Sequence, residues 1–160
     1  MLRRSALLLF ALTVLLVAAP AAQASDKTVF NAWVHENTTW SKLEDQLGKN
    51  LNSWTNSGYK KGGPALERIT KIRALIARRK KAVLAEEAST SDGADGKSLA
   101  LANLRDNDNA MLKLRQAINA GMGGNTKQAN SYLKQYDALI ARAGRYEKRA
   151  NKAFQAAGVA

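Results

Sequence analysis

The 160-residue chain has no cysteine, one histidine (His35) and two prolines (Pro20 and Pro64). Without cysteine there is no disulfide framework, thiolate zinc site, covalent haem attachment or N-terminal lipid-anchored Cys. A single imidazole removes most catalytic triads and every multi-histidine metal site. Acids are scarce as well: 13 Asp plus Glu stand against 25 Lys plus Arg, a formal net charge of +12. Aromatics make up only 6% of residues, yet 46% are hydrophobic, enough for the core of one domain. No stretch shows the period-two, β-branched pattern of a strand.

The start of the chain is set apart from the rest. Arg3 and Arg4 precede the uncharged apolar run Ser5 to Ala19, Pro20 breaks it, and Ala22-Gln23-Ala24 is a small-x-small cleavage site. That order is the layout of a secretory leader, and the run is shorter than the roughly 20 residues of a membrane span. The expected division is therefore a leader over residues 1–24 and one domain over residues 25–160, secreted or periplasmic and soluble once cleaved. Removing the leader takes Arg3 and Arg4 with it and leaves 23 bases against 13 acids, a net of +10.

Within the mature part, helical periodicity appears four times. In the first stretch, about Asp26 to Asn56, Trp33, Trp40, Leu47 and Trp54 recur every seven residues. Each step of seven drifts only about 20° around a helix, so the four share a narrow arc. Asn37-Thr38-Thr39 are poor helix formers and Ser41-Lys42-Leu43-Glu44 fits a capping box, which predicts a break near Ser41. The second helix opens at Pro64 and runs to about Ala88, with Leu66, Ile69, Ile72, Ile76 and Val83 as its stripe. Ser89 to Gly96 is read as a polar loop. The third helix is expected over Lys97 to Ala120, and the fourth after Asn125, which pairs with Gln128 as an N-cap signature. Short polar connections between long amphipathic helices predict an all-α fold, an antiparallel four-helix bundle. Ala74-Leu75-Ile76-Ala77-Arg78 recurs as Ala138-Leu139-Ile140-Ala141-Arg142, so the bundle also reads as two copies of one hairpin.

The basic excess is concentrated. The second helix nets +4 and the fourth +5, whereas the tryptophan helix nets −1. Two clusters stand out: the run Arg78, Arg79, Lys80, Lys81, and the stripe Arg142, Arg145, Arg149, Lys152 at spacings of three and four. Both lie toward helix C-termini, where cations complement the macrodipole. They also form a field that attracts anionic polymers or an acidic membrane surface, and they are the expected anion-binding residues. Tryptophans at heptad spacing read first as core packing; the alternative expectation is a protein partner, or a second copy of the chain, docked on Trp33, Trp40 and Trp54.

Other chemistry finds little footing in the sequence. Asp106-Asn107-Asp108 starts like a calcium loop but lacks the sixth-position Gly and the twelfth-position Glu. An axial pair of His35 with Met111 or Met122 would need that histidine to face inward, opposite to its place on the helix wheel. No catalytic residue, cofactor, metal or specific small molecule is indicated, and the expectation is a non-enzymatic binding protein.

Overall fold

The structure, a computed structural model, describes residues 23–160; residues 1–22, with nearly all of the expected leader, lie outside the described part. The described residues are helical, without strands, and pack as a four-helix bundle. Helix α1 (residues 23–34) and α2 (Asn37–Asn56) form the first rod, followed by α3 (Gly63–Ala85), α4 (Ser91–Met122) and α5 (Thr126–Ala156).

The expected break in the first rod is present but lies at His35-Glu36, ahead of Ser41. Glu36 adopts a left-handed conformation (φ 60°), and α2 restarts with Asn37 and no side-chain cap. Tertiary contacts decide the position. Glu36 Oε2 accepts from Arg78 Nη2 at 2.9 Å, and Asn37 Oδ1 accepts from Arg79 Nη2 at 2.9 Å. The corner is thus fastened to α3.

Each connection has its own chemistry. After α2, Ser57 Oγ accepts from the amides of Lys60 and Lys61, and Trp54 Nε1 donates to the Tyr59 carbonyl at 3.0 Å. Asn125 caps α5 as its sequence predicts, its Oδ1 accepting from the Gln128 amide at 3.0 Å.

The α3–α4 connection departs from expectation. Helix α3 stops at Ala85, where Glu86 turns extended, and α4 begins at Ser91. Most of the expected loop Ser89 to Gly96 is therefore the first turns of a helix. Thr90 is its N-cap, with Oγ1 accepting from the Gly93 amide at 2.9 Å. The Asp26 carboxylate, fully buried, accepts from the Ser89 amide at 2.8 Å and from Thr90 Oγ1. Capping from α1 outweighs the two glycines that make this segment look like a loop.

Cross-links fix the helix directions. Arg73 of α3 donates to Asp108 of α4 at 2.7 Å, and Asn103 of α4 donates to the Ala143 carbonyl of α5 at 3.0 Å. Neighbouring helices in sequence run antiparallel, so α3 and α5 point the same way and end at the same pole. The core is built from Trp33, Leu47 and Trp54 of the first rod and from Ile69, Ile72, Ile76 and Val83 of α3. Leu104, Leu114 and Ile118 of α4 and Phe154 of α5 complete it. Phe30, Trp33 and Phe154 meet at one pole, with Phe30 edge-on to Phe154 at 5.4 Å between centroids. Ala65 and Ala129, which the 64-residue offset aligns, are both buried in the first turn of α3 and α5.

Candidate functional site

The eight expected anion-binding residues divide into two groups. Lys80, Lys81, Arg145, Arg149 and Lys152 are exposed, and none has an acidic partner among the described residues. The other three are engaged. Arg78 pairs with Glu36, and its hydrogen bond holds that carboxyl below the usual range. Arg142 grips the fully buried Asp106 through Nε and Nη2, which raises its own pKa further. Arg79 is internal, only 6% exposed. Helix α4 lies between α3 and α5, so the two clusters share a pole of the bundle without sharing a helix interface.

The tryptophan arc points inward. Trp33 and Trp54 are 5% and 1% exposed, and Trp40 is half-buried. The docking expectation therefore keeps only part of one ring at the surface. His35 is exposed, beside Glu36.

Trp33, Trp40 and Arg79 instead come together in a cleft of about 640 Å³ between the first rod and α5, floored by α3 and α4. Phe30, Trp33, Trp40 and Ile140 supply apolar wall; Arg79, Glu44 and Glu147 supply charge. The Arg79 guanidinium lies over the Trp40 ring, 5.1 Å from its centroid, a cation–π contact. Among the described residues only its Nη2 bonds, at Asn37, and its buried Nε has no partner. Desolvation lowers the Arg79 pKa, and the fields of Glu36 and Glu44 partly restore it. Glu44 and Glu147 are exposed, yet partial loss of hydration pushes the Glu44 carboxyl up; a hydrogen bond from Trp40 acts against this, and the charges of Glu147 and Asp45 add to it. Asn103 is already committed, accepting from Trp33 Nε1 at 3.3 Å while donating to Ala143.

Comparison with known proteins gives no match: no family model, no curated protein and no solved structure aligns with this chain. The chemistry of the surface and the cleft is the guide to function. Among the described residues no group of three or more His, Cys, Asp or Glu side chains is placed to hold a metal ion, and no helix is long and apolar enough to cross a membrane.

Sequence reasoning counts Arg79 among the exposed bases and passes over Glu44 and Glu147; it reads the tryptophan arc first as core packing, as buried Trp33 and Trp54 are, with a docking face as the alternative. The signal for Glu44 is its spacing, one helical turn beyond Trp40 and so on the same side. Glu147 sits among the bases of α5 and carries no such mark.

Proposed function

We propose that the protein is an exported, non-enzymatic binding protein that holds anionic polymers or acidic surfaces through the basic pole of its bundle. Lys80 and Lys81 of α3 act there with Arg145, Arg149 and Lys152 of α5. The leader-like sequence of residues 1–24 supports export. The observation that carries the binding reading is that these five bases are exposed and, among the described residues, unpaired, whereas Arg73, Arg78 and Arg142 each have a carboxylate. An exposed cation without an internal partner keeps its hydrogen-bonding capacity for phosphate, sulfate or carboxylate, and Arg adds a bidentate geometry.

Salt-titrated retention on heparin, anionic vesicles and cell-wall polymer tests the proposal and separates the ligand sources. The matched variant is Arg145→Glu, Arg149→Glu and Lys152→Glu together, which leaves the Arg142–Asp106 pair intact. Retention of the wild type should collapse by roughly 0.5 M salt, where the Debye length is only about 4 Å. The variant should elute at markedly lower salt. Equal elution of the two proteins, or retention indifferent to salt, refutes the proposal.

A further inference from the structure

The cleft between the first rod and α5 has the wrong electrostatics for a polymer site and a pattern of its own. Arg79 is a nearly buried guanidinium that has one neutral hydrogen bond and an aromatic face for company, and no carboxylate bonds to it among the described residues. Taking a charge out of water without a counterion is one of the costlier arrangements in a fold. Its Nε is the one buried side-chain donor left without a partner among the described residues.

Two acids line the same space; neither bonds to Arg79, and Glu44 offsets the burial of that cation only in part, through its field. Glu44 feels the Arg79 charge without bonding to it, and Glu44 and Glu147 repel one another. Neither acid is in an ion pair among the described residues. The cleft therefore carries unneutralised charge of both signs, separated, with aromatic and aliphatic wall between. Its volume of about 640 Å³ lies within the roughly 300–1,000 Å³ of small-molecule sites. A polyanion would meet Glu44 and Glu147 at close range, and a simple cation would meet Arg79.

We propose that this cleft binds a small zwitterion with an apolar body, an amino acid or close analogue, its carboxylate on Arg79 and its ammonium toward Glu44 and Glu147. The carboxylate supplies the acceptor that the guanidinium lacks, the ammonium lies between the two acids, and the side chain rests on Trp33, Trp40 and Phe30. The site is independent of the basic pole and differs from it in the sign of its specificity.

Calorimetry on the purified protein decides the matter with three probes: L-phenylalanine, 3-phenylpropionate without the amine, and phenethylamine without the carboxylate. L-Phenylalanine should bind, quench tryptophan fluorescence in a Trp54→Phe background and raise the melting temperature. Each half-ligand should bind roughly 10- to 100-fold more weakly, as expected for losing one charged hydrogen-bonding group. Arg79→Lys, which keeps the charge, and Glu44→Gln should each weaken the amino acid by about tenfold or more. Arg79→Met should abolish binding of the amino acid, because the group that holds its carboxylate is gone. The triple charge reversal on α5 should bind L-phenylalanine unchanged. Absence of binding at about 10 mM for L-phenylalanine, L-tryptophan and L-leucine alike overturns the proposal, as does phenethylamine binding as tightly as the amino acid.

Discussion

Replacing glycine by alanine inside a helix usually stabilises it by up to about 1 kcal/mol. At Gly93 the sign should reverse. A Cβ there falls on the Asp26 carboxylate, 2.6 Å from Oδ2 and closer still to the other carboxylate atoms. Asp26 has to leave, and with it go the bonds from the Ser89 amide and Thr90 Oγ1 that close the start of α4. Hydrogen bonds to a charged group are worth about 1.5–3 kcal/mol each, so two lost bonds against the helical gain leave a net cost of about 3 kcal/mol. At Gly96 the added carbon meets the face of the Phe154 ring at 2.8–2.9 Å. Overpacking of about 1–3 kcal/mol there, less the same gain, predicts a cost of about 1 kcal/mol. Gly48 of α2 and Gly144 of α5 have nothing within 4 Å of a new Cβ and should show the ordinary stabilisation. Equilibrium urea unfolding of the four single variants reads all of these. A double-mutant cycle sharpens the test: in an Asp26→Ala background, Gly93→Ala should turn from harmful to stabilising by up to about 1 kcal/mol. If Gly93→Ala is as stable as Gly48→Ala in the wild-type background, the docking of α1 onto the α3–α4 corner is not the interaction described.

Asp26→Ala alone should cost about 4 kcal/mol by the same urea assay, since it forfeits the same bonds without the helical gain. Trp54→Phe should cost about 1–2 kcal/mol, from the lost bond to the Tyr59 carbonyl and the smaller ring in a site only 1% exposed. Glu44 has a folded-state pKa raised above 4.5, so the folded chain holds that proton longer than the unfolded one. Its contribution to stability is therefore greatest at acidic pH and falls as pH rises through the shifted value. Glu44→Gln should flatten the stability–pH curve just above 4.5 and leave a more stable protein at neutral pH, measured by thermal melts across that range.

The bundle was legible because its helices are long and the apolar period is regular: Ile69, Ile72, Ile76 and Val83 on α3, and Leu104, Met111, Leu114 and Ile118 on α4, are buried, while Leu66 and Leu101 on the same stripes are half-buried. The Asn125 cap was legible because its signal lies within three residues. The start of α4 was not, because the determinant is a carboxylate 63 residues away that local composition cannot show. The cleft was hidden for a related reason. In the run Arg78-Arg79-Lys80-Lys81 four cations look alike, and only the position of the α1–α2 corner makes Arg79 internal while Lys80 and Lys81 face water. Charge counts carry the sign of a surface but not which of its members the fold has enclosed.

The Asp26 clasp also bears on the order in which the molecule comes together. Hairpin α4–α5 and the α2–α3 turn form from contacts made on either side of short connections, and such loops close quickly. The clasp joins residues separated by 63 and 64 positions, and its loop-closure entropy is larger. Helix α1 is therefore expected to dock late in assembly, after the beginning of α4 has formed. Since Phe30 and Trp33 reach the cleft from α1, the cleft acquires its last wall at that moment. An amino acid present during refolding should accelerate none of the earlier steps and should bind only once the clasp has shut.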